Sequence, residues 1–286
     1  MEFNREKQRT DIEKFILKMP SLSITVGKVM EICSLTDASP NELNRVISLD
    51  PVLTGQVLKL INSAYYSLVN KVTSLTRAIT MLGMNTVKNI ALSTAIIRTI
   101  SGVKKSRALP TAKFWEHSIS TGVSARLLGE IKGYPPMERE ELFLAGLLHD
   151  LGKVPFGDEY IDVLNVAGNE QRSLVEVERF LLGIDHQEVG LMIAKKWKLN
   201  KVITECITCH HHVDTLEGDY RQHAALVALG NIYSNILDHG YAGDPFPDEG
   251  EIDRLLDVVQ LEHNVFGAIG GRVVEEIGKS KLFLLV

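Results

Sequence analysis

At 286 residues the chain is longer than one average domain and long enough to bury a large core. Its composition is that of an ordinary globular protein, 45% apolar and 23% charged, and a net charge of -5 leaves no basic footprint for nucleic acid or an acidic membrane. The segment from Met1 to Asp11 is charged with no apolar run behind it, and three cysteines make no disulfide framework, so a cytoplasmic protein without leader or anchor is expected.

Helix start signals recur along the chain, while alternating β-branched runs closed by Asn-Gly or Asp-Gly turns are nearly absent, which predicts an all-α fold. Ser39-Pro40-Asn41-Glu42 combines a cap, a proline at the first helical position and a glutamate at the third. Asp50-Pro51 repeats the cap and proline. Between these signals Leu43, Val46 and Ile47, then Leu53, Val57, Leu58, Leu60 and Ile61, then Ile79, Leu82, Val87, Ile90 and Ala91 recur at helical spacing and mark core faces. Asn62-Ser63-Ala64-Tyr65-Tyr66 reads either as a small-molecule or partner site or as a helix end with capping and packing roles. The polar stretch from Ser101 to Arg107 marks a boundary, giving an N-terminal helical segment over 1–106 and a second helical unit over 107–286.

In the second unit, helices are expected at 112–131, 138–152, 174–181, 186–197, 201–211 and 224–237, with two more near the C-terminus. Ser173 with Glu176 and Asp185 with Glu188 read as capping boxes, the latter placing His186 in a first helical turn, and Asn200 caps the next helix. The Pro/Gly/Asp-rich segment from Gly240 to Gly250 reads as a surface loop, and the apolar tail from Lys281 to Val286 as packed on the core.

Six of the nine histidines fall in an ordered series: His117, His149 followed by Asp150, His186, and the run His210-His211-His212. His223, His239 and His263 are scattered. Imidazole and carboxylate together suit Fe, Mn or Zn, and an aspartate can bridge two ions while each histidine binds one. The sharpest local pattern is Leu147-Leu148-His149-Asp150-Leu151-Gly152-Lys153, where a polar pair closes an apolar helix; buried there, it requires metal or hydrogen bonds. Cys206-Ile207-Thr208-Cys209-His210 also satisfies the c-type haem pattern, but without an export signal and within a helical stretch it reads as packing.

Taken together, the chain resembles the HDOD family of the HD superfamily of metal-dependent phosphohydrolases, related to the HD-GYP proteins. Met19-Pro20-Ser21-Leu22, Asp50-Pro51-Val52-Leu53-Thr54 and the Leu58–Tyr66 stretch look like its N-terminal segment. Trp115 with His117-Ser118, Ala145–Lys153, Asp185–Gly190, Trp197-Lys198-Leu199 and His210-His211 look like its HD unit. The resemblance implies a multi-helix HD-type core with an N-terminal helical subdomain. It implies metal ligands at His117, His149, Asp150, His186, His210 and His211, with Asn231 standing where the HD pattern has its last aspartate. One or two divalent ions are implied, Fe or Mn first, then Mg, Zn or Ni. Asp150 and Lys153 are the candidate catalytic groups. The Gly-Tyr-Pro signature of relatives that hydrolyse cyclic di-GMP is replaced here by Gly218-Asp219-Tyr220-Arg221, so that substrate does not carry over.

Two functions follow from the resemblance. One is a signal-transduction module acting through a protein partner, favoured by the family's mostly non-enzymatic character and by Asn231. The other is a phosphohydrolase acting on a nucleotide, cyclic nucleotide or other phosphorylated small molecule. A di-iron oxygenase on the same scaffold is chemically open. Nucleic acid and membrane are not expected as partners.

Overall fold

The computed structural model describes residues 5–35, 38–63, 66, 68, 70–101, 106–243 and 249–280. The chain is all-α: 78% is helical, and no strand occurs among the described residues. No described helix is long and apolar enough to cross a membrane. The chain divides into two compact units, one of Met1–Pro20 with Val103–Val273, the other of Ser21–Gly102 with Val274–Val286. The sequence suggested a single cut at 106; the division observed also places the first 20 residues with the later unit and the C-terminal segment with the earlier one.

The unit around Ser21–Gly102 contains α2 (Ile24–Ser34), α3 (Pro40–Ile47), α4 (Pro51–Ile61), α5 (Leu75–Leu82) and α6 (Met84–Ser101), following α1 (Arg5–Lys18) of the other unit. The expected caps form. Ser39 and Glu42 make the full reciprocal box, and Asp50 accepts from the Leu53 amide. Asn62 takes the helix-end role: it is the C-cap of α4, its Nδ2 donates to the Leu58 carbonyl and to the Val72 carbonyl, and its Oδ1 accepts from the Val72 amide, each at 2.7 Å, closing the loop after the helix. Ala64 and Tyr65 lie outside the described residues.

The other unit is built on α7 (Thr111–Ile131), α8 (Pro136–Leu148), the 3-10 segment Leu151–Glu159, α9 (Tyr160–Glu170), α10 (Leu174–Leu182), α11 (His186–Trp197), α12 (Lys201–Cys209), α13 (Gly218–Ile236), α14 (Glu249–Val259) and α15 (Asn264–Ser280), whose last turns count with the first unit. Helix α7 is buried almost all round, and α8 and α13 pack along it. Small residues allow this approach. A Cβ at Gly146 of α8 would lie 2.7 Å from the Gly122 Cα of α7, and one at Gly230 of α13 only 2.8 Å from the Thr121 carbonyl oxygen.

Three local expectations are corrected. The helix expected to run through Gly152 stops at Leu148, and tighter 3-10 turns follow, because Gly152 is pressed against α11 and Pro155 cannot continue an α-helix. Ser173 makes no side-chain capping bond; the start of α10 rests instead on the burial of Leu174 and Val175. The segment from Gly240 is not a surface loop at its start. Gly240, at φ 79°, sits so close to α7 that a Cβ would lie 2.2 Å from the His117 amide nitrogen, and Ala242 is buried. Residues 244–248 and the apolar tail after Ser280 lie outside the described residues.

These contacts give opposite expectations for two helical glycines. Gly146→Ala is expected to destabilise by about 1–3 kcal/mol through overpacking. Gly55→Ala, in α4 with open space around it, is expected to stabilise by up to about 1 kcal/mol through helix propensity. Urea midpoints followed by far-ultraviolet circular dichroism measure both.

Candidate metal centre

Asp150 follows the end of α8, where the helix tightens into the 3-10 segment, and its carboxylate is wholly buried. A charge there must be compensated. Lys153, one 3-10 turn on and 1% exposed, places Nζ 2.7 Å from Asp150 Oδ2 and 3.0 Å from the Ala242 carbonyl oxygen. The same Oδ2 faces His149 Nε2 at 3.2 Å and His117 Nε2 of α7 at 3.9 Å. The other oxygen, Oδ1, has no hydrogen-bond partner among the described residues and faces His186 Nε2 of α11 at 3.6 Å and His210 Nε2, just past α12, at 3.7 Å. One carboxylate thus stands between two histidine groups, His117 with His149 and His186 with His210 and His211.

The tautomers of three of these histidines follow from their second nitrogens. His149 Nδ1 lies 2.7 Å from the Gly146 carbonyl oxygen, and His210 Nδ1 lies 3.1 Å from the carbonyls of Cys206 and Ile207. His186 Nδ1 lies 2.7 Å from Glu178 Oε2. Carbonyl and carboxylate oxygens only accept, so each Nδ1 carries a proton and Nε2 is the atom left to serve as a ligand when the ring is neutral. His186 Nε2 and His210 Nε2 face each other at 3.4 Å, close enough for one cation to take both as ligands.

Burial pushes the His117 imidazole down to about 3, with His149 adding to the effect. Burial likewise pushes His210 to about 3 and His211 well below its ordinary value. Burial opposes ionisation of Asp150, yet His149 and Lys153 hold its carboxylate well below the usual range. The lowering at His117, His210 and His211 favours the neutral ring, the form in which imidazole acts as a metal ligand. The donor atoms of His117, His149 and Asp150 lie within 4.8 Å of one another, as do those of His186, His210 and His211. His117 Nδ1 and the buried Asn231 Oδ1 have no hydrogen-bond partner among the described residues. The residues fit one or two divalent ions.

The structure therefore brings together His117, His149, Asp150, Lys153, His186, His210 and His211, and Asn231, buried on α13, interacts with His117. It also settles the histidine run: His210 and His211 turn inward, whereas His212 is exposed. Cys206 is fully buried in α12, its thiol pushed up by burial, which is a packing role.

Glu178 was missed. It is fully buried on α10, accepts from the His186 amide at 2.9 Å as well as from the ring, and also takes the Tyr160 hydroxyl. The available signal was a carboxylate between Val177 and Leu181, on the apolar side of an amphipathic helix.

In this all-helical protein a buried carboxylate stands between two histidine groups that could hold a metal ion. The chain belongs to the HDOD family, whose domain it matches over residues 19–213. It is similar to an HDOD domain protein of unknown function from Geobacter sulfurreducens, at 25% identity and TM-score 0.78, covering 98% of this chain and 99% of that one. It is similar in fold to a candidate phosphohydrolase from Shewanella amazonensis SB2B, at 21% identity and TM-score 0.73, covering 96% and 98%. A candidate signal transduction protein from Marinobacter aquaeolei VT8 shares the fold at 19% identity and TM-score 0.73, over 98% of this chain and 66% of that one. The chain spans 43% and 39% of the length of two curated relatives it matches.

Two outcomes follow. His117 and His210, held near 3 in the fold against about 6.5 when unfolded, take up protons in the unfolded chain first. Their contribution to stability is therefore fully present above about pH 6.5 and is lost as pH falls toward 3, each adding a slope of about 1.4 kcal/mol per pH unit in the metal-free protein. His117→Gln should flatten the dependence of the urea midpoint on pH by one such increment. Separately, Glu178→Gln should weaken metal binding about 10- to 100-fold by loosening the hold on His186, as read by titration with Mn2+.

Proposed function

We propose that the chain is a signal-transduction module of the HDOD type that holds divalent metal in its helical core and acts through a protein partner. The metal is Fe or Mn, with Zn, Mg or Ni as alternatives; imidazole with carboxylate suits the first-row ions over Mg. The observation that carries this reading is the burial of the complete donor set. His117, His149, Asp150, Lys153, His186 and His210 are at most 1% exposed, and only His211 is partly open. A site so enclosed suits a structural or sensing ion better than turnover of a bulky phosphoester. The neutral amide of Asn231 in place of a carboxylate leans the same way, being a weaker ligand.

A second reading, a phosphohydrolase, is favoured by Asp150 and Lys153. When bound, a metal pair supplies Lewis acidity and an acidified water. Lys153, held on Asp150 Oδ2, places a positive charge at the site, where it can offset charge developing on a phosphoryl group. The candidate phosphohydrolase of Shewanella amazonensis and the candidate signal transduction protein of Marinobacter aquaeolei share this fold and support one reading each.

Elemental analysis of the purified protein and of His149→Ala/Asp150→Ala should find stoichiometric metal in the first and loss of it in the second. Asn231→Asp should then tighten metal binding without creating activity. Turnover of nucleotides, cyclic nucleotides or simple phosphoesters by the metal-loaded wild type, enhanced in Asn231→Asp, would replace the regulatory reading with the enzymatic one. Metal absent from the wild type and from the variant would sink both.

A further inference from the structure

Away from the buried centre, the first turns of α8 and α13 open onto a cleft of about 730 Å³. Five carboxylates line it, Glu138, Glu141, Glu205, Glu217 and Asp219, against one ammonium, Lys201, which lies over the Tyr220 ring at 4.5 Å. Surplus negative charge alone is commonplace at a surface. What distinguishes this cleft is the histidine in its lining.

His223 is 5% exposed, and its Nδ1 lies 2.6 Å from the Asp219 carbonyl oxygen. A carbonyl only accepts, so Nδ1 carries the proton and Nε2 presents a lone pair. That Nε2 is buried without a hydrogen-bond partner among the described residues, and its nearest charged neighbour is Glu138 Oε2 at 3.8 Å. Two donors bound to one tetrahedral ion at about 2.0–2.2 Å each stand about 3.4 Å apart, so this pair needs to close by only a few tenths of an ångström to share one. A ring nitrogen fixed as acceptor by a backbone carbonyl behind it is also the arrangement of metal-binding histidines.

The neighbouring residues supply further ligands at helical spacing. Asp219 precedes His223 by four residues on α13, and Glu141 follows Glu138 by three on α8, so each pair shares a helix face. Asp219 is exposed and its side chain is free to turn inward. The Tyr134 ring lies tilted against the His223 ring at 5.2 Å, and its hydroxyl is pushed up to about 12, by burial first and then by the carboxylates of Asp219 and Glu138. The field at this end of the two helices is therefore negative, which concentrates cations.

We infer that His223 and Glu138, with Asp219 as third ligand and water completing the shell, form a second divalent-metal site, separate from the buried centre and open to solvent. The mixture of imidazole and carboxylates suits Zn2+, Mn2+ or Fe2+ over Ca2+ or Mg2+. An ion there would exchange with solution far faster than one enclosed around Asp150.

The test uses the full chain carrying His149→Ala/Asp150→Ala, which removes the buried centre, with retained helicity checked by circular dichroism. Titration with Zn2+ and Mn2+ should still find one equivalent bound. Adding Glu138→Gln and Asp219→Asn, both at solvent-accessible positions, should weaken that equivalent at least about 10-fold, and His223→Gln should do the same. Glu262→Gln, a carboxylate outside the cleft, should leave it unchanged. Absence of residual metal in the parent variant, or residual metal indifferent to the three cleft substitutions, overturns the second site. In the otherwise unmodified chain, one equivalent lost only with the cleft substitutions, and none lost with His149→Ala/Asp150→Ala, upholds the second site while removing the buried one.

Discussion

The buried charge of Asp150 is the constraint on which the second unit turns. A carboxylate with no exposure costs several kcal/mol unless its surroundings compensate it, and here five side chains converge on it, Lys153 with its ammonium and four histidines with ring nitrogens. Lys153 reaches it from the 3-10 turn, His149 from beside it, His117 from α7, and His186 and His210 from α11 and the end of α12. Those elements have to meet, and several features of the packing exist to let them. Gly152 lets the 3-10 segment lie on α11, since a Cβ there would fall 1.8 Å from the His186 carbonyl oxygen. Gly240 lets the chain after α13 return to α7, bringing the Ala242 carbonyl to Lys153.

Around that charge the polar groups are arranged in layers. Ring nitrogens of His149, His186 and His210 face Asp150, and their other nitrogens are held by oxygens of the helical framework. For His149 and His210 these are backbone carbonyls, which any sequence supplies wherever a helix frays or tightens. For His186 it is Glu178, a side chain on a different helix, which joins Tyr160, the His186 amide and the His186 ring into one buried network. Such a network is stable only when all of its members are present. The orientation of His186 thus depends on residues from α9 and α10 as much as on its own helix.

Much of this was legible in the sequence, for a physical reason. Capping, helical spacing and the improbability of a buried His-Asp pair are local properties, and Ser39, Asp50, Asp185 and Asn200 accept the amide bonds expected of them. The ordered histidines converge because the resemblance that singled them out reflects a shared fold. The features that stayed hidden depend on distant contacts. Gly152 ends α8 because of α11, the Gly240 segment is buried because of α7, and Glu178 acquires its role from a histidine eight residues on in the next helix. His223 looked scattered because its neighbour Glu138 comes from a helix 85 positions earlier in the chain. The choice among His210, His211 and His212 turned on where α12 ends, and that is a matter of packing.

The near-complete burial of α7 bears on how the chain is made. Its Gly122 and Thr121 fit against α8, which leaves the ribosome soon after it, and against α13, which emerges only once α8 through α12 have been synthesised. Until then a helix bearing Phe114, Trp115, Ile119, Val123, Leu127 and Leu128 lacks one of its two principal covers. The second unit is therefore a late-closing body whose nascent form exposes apolar surface for most of its synthesis. Shielding during translation, by a chaperone or by partial collapse onto α8, is a requirement written into the order of its helices.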